Sequence, residues 1–273
     1  MHANRPHVFQ EYLIVTERVT LITGASAGIG AEFARIFAAN KHRVALVARR
    51  TERLNALAAE IIAAGGAAPI IISCDLEQRD ACDQIAAALA AADVEVEYVV
   101  NNAGFGMFGR AIDMDRDRQL GIVEVNVRAL TDLSLRFSDS LIRNKGGILN
   151  LSSIAGFLPG PGMAVYYASK AYVLSFTEAL RQELGSKGVR VTALCPGPVP
   201  SEFQARAGFT PGLDSAILNV SAADVALLGY QGLMANKRTV FPGLGIKIVP
   251  LLLRFFPRGF IAGAVARLQL RRV

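Results

Sequence analysis

The 273-residue chain predicts an α/β fold, a doubly wound parallel sheet of about seven strands with helices on both faces. Three observations predict it. Short β-branched apolar runs alternate with Ala-rich stretches of helical period along most of the chain. A glycine turn stands directly between the first strand and the first helix. No repeat period and no linker-like or low-complexity stretch divides the middle of the chain. Such alternation makes the strands parallel and joins them by right-handed crossovers.

The first strand is expected at Val19–Thr23, within Arg18-Val19-Thr20-Leu21-Ile22-Thr23. It runs into Thr23-Gly24-Ala25-Ser26-Ala27-Gly28-Ile29-Gly30 and then a helix over Gly28–Ala39. Strand, glycine turn and helix place backbone N–H groups at a helix N-terminus, a site for a pyrophosphate. Gly24, Ser26, Gly28, Ile29 and Gly30 are therefore candidate nucleotide contacts. The spacing is Gly-x-x-x-Gly-x-Gly, not the commoner Gly-x-Gly-x-x-Gly. Further strands are expected at Arg43–Ala48, Ala68–Cys74, Val96–Val100, Gly147–Leu151, Arg190–Leu194 and Thr239–Phe241. Helices fill Glu52–Ala64, Asp80–Ala91, Asp115–Arg143, Val165–Leu184 and Ala222–Ala235. Ligands in this architecture sit outside the carboxyl ends of the strands, where Gly24, Arg49, Asp75, Asn102, Ser153 and Pro196 all fall.

Chemistry concentrates in Tyr166-Tyr167-Ala168-Ser169-Lys170, with Ser153 thirteen residues upstream. Residues four apart share a helix face. An ammonium at Lys170 would favour the Tyr166 phenolate and lower its pKa toward working pH. A serine hydroxyl can hydrogen-bond the same substrate oxygen that the phenol protonates or deprotonates. That is proton-transfer equipment for a carbonyl/alcohol pair.

Bulk properties exclude several classes. Hydrophobic residues make up 52% and charged ones 19%, too apolar for disorder. Cys74, Cys82 and Cys195 make no metal-ligand spacing, and reduced thiols suit a cytoplasmic protein. His2, His7 and His42 form no cluster, so neither a zinc site nor a His-based triad is expected. Residues 1–17 lack an apolar h-region and read as an N-terminal extension rather than a signal peptide. The longest uncharged run, Gly146 to Ser169, is broken by Pro-Gly steps and serines and does not read as a membrane span.

Together these segments resemble the short-chain dehydrogenase/reductase family over roughly Arg18 to Gly243. The resemblance rests on the turn Thr23 to Gly30, on Asn101-Asn102-Ala103-Gly104, and on Asn126 in mid-helix. It extends to Asn150-Leu151-Ser152-Ser153-Ile154-Ala155-Gly156, to Tyr166 with Lys170, and to Pro196-Gly197. It implies one Rossmann-type domain over 18–245 and a catalytic tetrad of Asn126, Ser153, Tyr166 and Lys170. Tyr166 would be the acid/base, Ser153 the carbonyl-oxygen partner, Lys170 the holder of the nicotinamide ribose, and Asn126 the anchor of a relay water. Asn102, Gly104, Pro196, Gly197 and Val199 would line the cofactor, and Asp75 would lie at the adenine unless it is only a helix N-cap. It also implies a homodimer or homotetramer built on the helices holding Asn126 and Tyr166.

Arg49-Arg50 follows the second strand, with no acidic residue to grip a ribose 2′-hydroxyl. Arg49 is expected to bind a 2′-phosphate as a charge-assisted fork, which favours NADP(H) and leaves NAD(H) open. The family's second basic residue before the middle glycine is missing, because Ala27 stands there. Pro200 and Ser201 follow Val199 where the family often carries Thr. Phe105, Met107, Phe108, Ile154, Phe157, Leu158 and Met163 either line an apolar substrate pocket or pack the core. Residues 200–220 read as a lid. The 246–273 stretch mixes Leu and Phe clusters with Lys247, Arg254, Arg258, Arg267, Arg271 and Arg272. It is expected to form a helical extension that packs over the cleft or on a partner subunit. Contact with an anionic membrane surface is the less favoured alternative, and nucleic-acid binding has no motif behind it. The expected function is NADP(H)-dependent carbonyl/alcohol interconversion on an apolar small molecule, the alternative a catalytically silent NADP-binding sensor or scaffold.

Overall fold

The computed structural model describes residues 16–199, 202, 207 and 220–270. Seven strands form one sheet: β1 Glu17–Thr23, β2 Arg43–Ala48, β3 Ile70–Ser73, β4 Val94–Asn101, β5 Gly147–Leu151, β6 Arg190–Leu194 and β7 Thr239–Val240. Their spatial order is β3-β2-β1-β4-β5-β6-β7, and every pairing is parallel. The expected fold class is present, with ends that differ by one or two residues where terminal pairing frays.

Alternation along the strands makes the sheet doubly wound. Leu21, Ala45, Val99 and Ile148 enter one buried cluster, while their neighbours Ile22, Leu46, Val100 and Leu149 enter the other. Because successive side chains point to opposite faces, apolar residues at both parities need a helix layer on each side. One layer holds α1 Gly28–Ala39, α2 Thr51–Ala63 and α8 Ala222–Met234. Phe33 and Phe37 of α1 are fully buried there, each burial stabilising by about 1.5–3 kcal/mol. Gly229 lets α8 approach, because an added Cβ would lie 2.8 Å from the Phe33 ring. The other layer holds α3 Ala81–Ala91, α4 Arg116–Val123, α5 Leu130–Arg136, α6 Ser138–Asn144 and α7 Ala164–Gly185.

One expected helix is corrected. The Asp115–Arg143 stretch is not continuous: a π-helical segment at Glu124–Ala129 separates α4 from α5, and Phe137 breaks α5 from α6. Asp115 caps α4 by accepting from the Arg118 N–H at 2.7 Å. The carboxyl ends are tied across the strand-order reversal between β1 and β4. Thr23 Oγ1 donates to the Val100 carbonyl and accepts from the N–H groups of Asn102 and Ala103, at 3.1 and 3.0 Å. Two helices close the described chain, α9 Leu244–Leu253 and α10 Arg258–Gln269. No described helix is long and apolar enough to cross a membrane.

Candidate active site

A cleft of about 390 Å³ opens at the carboxyl ends of the strands. Its floor is the glycine turn, where Gly24 and Gly28 hold φ of 68° and 55°, a region that favours glycine. At Gly30 an added Cβ would overlap the Gly24 carbonyl and the Asn102 amide. Ala27, at the N-cap of α1, makes no side-chain cap bond, and the first turn carries no acidic residue. The end of α1 therefore offers backbone N–H donors and a positive dipole end to an anion, which suits a pyrophosphate.

Above the turn lie the arginines. Arg49 is largely exposed and pairs with Glu77 at 3.1 Å and Asp75 at 3.8 Å. Arg50, which sequence reasoning passed over, turns inward: its Nε and Nη2 donate to Ser26 Oγ at 3.3 and 3.1 Å, and its Nη1 pairs with Glu202 at 2.9 Å. A doublet gives no hint of which arginine faces the turn, because the helix start decides it. Asp75 is no helix N-cap, since α3 starts six residues later. Its Oδ1 instead accepts from the Glu77 N–H at 3.1 Å.

At the other end, β5 and α7 bring Ser153, Tyr166 and Lys170 together. Ser153 leaves β5 in extended backbone, and its Oγ accepts from the Ala155 N–H at 3.1 Å. The Tyr166 phenol hydrogen-bonds the Ser153 hydroxyl, and burial pushes its pKa well above the ordinary tyrosine value. The expected depression by Lys170 is therefore not found. The Lys170 Nζ lies 5.8 Å from the Tyr166 ring centroid and donates to the Leu151 carbonyl at 2.7 Å. Desolvation lowers Lys170 to about 8. Burial disfavours both charges, and at Tyr166 it outweighs the hydrogen bond from Ser153, which favours the phenolate. The neighbouring Cys195 thiol is pushed up to about 12 by burial and is inert at ordinary pH.

Asn126 sits in the π-helical segment behind the cleft wall. Its Oδ1 accepts from the Phe105 N–H at 3.1 Å, and its Nδ2 donates to the Phe105 carbonyl at 3.1 Å and to Ser169 Oγ at 2.9 Å. Ser169 Oγ in turn donates to the Tyr166 carbonyl at 2.7 Å. Gly104 separates Asn126 from Lys170: an added Cβ would lie 2.9 Å from Asn126 Oδ1 and 3.4 Å from Lys170 Nζ. Of the expected site residues, Gly24, Ser26, Gly28, Ile29, Arg49, Asp75, Asn102, Gly104, Ser153, Tyr166, Lys170, Pro196, Gly197 and Val199 line the cleft. Gly30 and Asn126 stand behind it.

The rest of the wall is mostly apolar: Phe105, Val125, Ile154, Met163 and Tyr167 among others. Of the other pocket candidates, Phe157 lies elsewhere, packed on Phe241 at 5.7 Å between ring centroids, and Met107, Phe108 and Leu158 are not on the wall. One wall residue arrives from far along the chain. Gln269, at the end of α10, donates from Nε2 to the Tyr167 hydroxyl at 2.6 Å. Its Oε1 is buried without a partner. No local pattern could have found this contact across 102 positions. Most of the expected lid, 200–220, lies outside the described residues. Among the described residues no group of His, Cys, Asp or Glu could hold a metal.

Comparison with known proteins fits this geometry. The family model described as short chain dehydrogenase matches residues 18–210. Serine 3-dehydrogenase of Agrobacterium fabrum is 38% identical over 186 residues, 67% of this chain and 72% of that protein. A short-chain dehydrogenase from Sphingobium yanoikuyae, solved in complex with NADPH, superposes with a TM-score of 0.77 at 29% identity. That match covers 90% of this chain and 95% of the other. A short chain dehydrogenase/reductase from Burkholderia phymatum, in complex with NAD, gives 0.76 at 26% identity over 87% and 92%.

Proposed function

The chain belongs to the short-chain dehydrogenase family, and from that premise we propose that it interconverts a carbonyl and a secondary alcohol with NADP(H), on a largely apolar substrate, with Tyr166 as acid/base. The observation that carries this reading is the convergence of Ser153, Tyr166 and Lys170 on a cleft whose other end is the bare N-terminus of α1. A nicotinamide nucleotide fits the glycine cradle and, when bound, supplies hydride chemistry at the substrate carbon. Gly24, Ser26, Gly28 and Ile29 would hold its phosphates, and Asn102, Gly104, Pro196, Gly197 and Val199 the remainder.

The side chains of the chain handle the oxygen. Ser153 and Tyr166, already hydrogen-bonded to each other, would both bind the substrate oxygen. In reduction Tyr166 gives its proton to that oxygen; in oxidation it takes it. Lys170 spends one of its three N–H donors on Leu151, which leaves two for ribose hydroxyls. Asn126 acts as a positioning residue, fixing Phe105 and, through Ser169, the first turn of α7. The apolar wall from Phe105 to Met163 favours an apolar substrate body.

NADP(H) preference rests on the arginine doublet. Arg50 crosses Ser26 while Arg49 stands at the rim, so a 2′-phosphate there would meet two guanidinium groups. Such charge-assisted bonds are worth roughly 1.5–3 kcal/mol. Arg49→Ala and Arg50→Ala should each weaken NADPH binding by about one to two orders of magnitude and leave NADH nearly untouched, by calorimetry. Equal losses, or a wild-type preference for NADH, would reject the assignment. Turnover itself is tested with a panel of carbonyls and alcohols, following the absorbance of reduced cofactor. Tight NADPH binding without turnover across the panel would favour a sensor over an enzyme.

Self-association has its own support. Leu120 and Val123 of α4, Leu135 of α5 and Tyr172 of α7 are exposed, and Tyr172 stacks on Phe176 at 5.8 Å. An apolar face on those helices fits a dimer or tetramer. Sedimentation should give a multiple of 29.1 kDa.

A further inference from the structure

We propose that α9 and α10 form a docking surface for an anionic lipid bilayer, lying on it without crossing it. Charge distribution is the first ground. The chain has 29 cationic and 23 acidic residues, a net +6. Residues 242–273 hold six of the cations and no acid, so the other 241 residues are balanced and the whole net charge sits in this tail.

Exposure is the second ground. Phe255, Phe260 and Leu251 are 83%, 64% and 55% exposed, and Ile248, Leu252, Phe256 and Leu268 are exposed with them. The Phe256 and Phe260 rings stack at 5.6 Å, which gathers the aromatic surface at the junction of the helices. The pair is anchored from the opposite side, by Ile246 against Gly197, buried Ile261, and Gln269 on Tyr167. The inward contacts are thus made by other residues, and among the described residues these Leu and Phe side chains remain exposed.

Pairing is the third ground. Most described arginines on the body find acids, among them Arg35 with Glu60, Arg143 with Glu95 and Arg238 with Glu178, while Arg181 and Arg190 spend their donors on Asn236 and Tyr98 instead. Among the described residues, Lys247, Arg254, Arg258 and Arg267 make no ion pair. Unpaired cations bordering exposed Leu and Phe match lipid headgroups bordering acyl chains. A second copy fits poorly, because a two-fold contact through this face would bring like charges together. Helices of 10 and 12 residues are too short to span.

The test is co-sedimentation of the full chain with vesicles of phosphatidylcholine alone or mixed with phosphatidylglycerol. Binding should appear only with phosphatidylglycerol and fall as salt is raised. Arg254→Ala with Arg258→Ala should weaken it about thirtyfold, since each cation contributes about a fivefold factor. Phe255→Ser with Phe260→Ser should abolish it. Both doubles should keep wild-type thermal unfolding and NADPH binding, which shows they are folded. Three outcomes overturn the proposal: no binding to either vesicle, equal binding to both, or variants that change oligomer size and leave vesicle binding intact. The last would assign the face to a second copy.

Discussion

Tyr166 and Lys170 are one helical turn apart, yet the structure sets their pKa values by burial rather than by each other. Tyr166→Phe should lower kcat by at least about a hundredfold while cofactor affinity stays within a small factor, because the ring packing survives. Steady-state kinetics and calorimetry check it, and near wild-type turnover would shift suspicion to Tyr167. Lys170 gives a stability prediction. Its folded pKa, about 8, lies below the ordinary lysine value, so above pH 8 the unfolded chain binds more protons and stability rises with pH. Relative to Lys170→Met, the wild type should gain stability between pH 8 and about 10, toward a limit on the order of 3 kcal/mol. Denaturant unfolding of both proteins at several pH values measures it; a flat difference would mean that Lys170 is not desolvated as found. The four catalytic candidates were legible from residue type and order. The state of the phenol was not, because a 5.8 Å separation and a carbonyl partner are properties of packing, not spacing.

The elements that matter most are the glycine turn and the interrupted helix. Gly30→Ala forces a methyl into the Gly24 carbonyl and the Asn102 amide. Overpacking of that kind costs about 1–3 kcal/mol, and here it also displaces the backbone that would receive the phosphates. The variant should unfold at lower temperature and lose NADPH binding; calorimetry that shows wild-type affinity would remove the turn from the cofactor site. Strands were legible to within a residue or two, since β-branched runs flanked by glycine have few alternatives. The π-helical segment was not. Glu124-Val125-Asn126-Val127-Arg128-Ala129 carries no local mark of a widened turn, and the Asn126 amide with its three bonds to Phe105 and Ser169 draws its partners from distant segments.

Across the whole molecule, the C-terminal helices have two faces with different work. The inward face completes the cleft. Gln269→Ala should raise KM several-fold with little change in kcat, because Gln269 contacts Tyr167 and the wall but not Ser153 or Lys170. The same variant should bind vesicles as the wild type does, which separates the cleft from the outward face. Unchanged KM would mean that the substrate does not reach the end of α10. The expectation that this tail packs over the cleft holds for Gln269 alone of the pocket wall, while its Leu and Phe cluster points outward. By itself the sequence determined the sheet and the strand-turn-helix cradle, which depend on side-chain period and on backbone freedom at glycine, and its ordered motifs marked the family and the candidate Ser153, Tyr166 and Lys170. Only the tertiary structure decided which of two adjacent arginines crosses Ser26, where Asn126 spends its amide, how burial sets Tyr166 and Lys170, and which face of the tail is left outside. Those depend on distances between segments up to a hundred residues apart, and local sequence carries no measure of them.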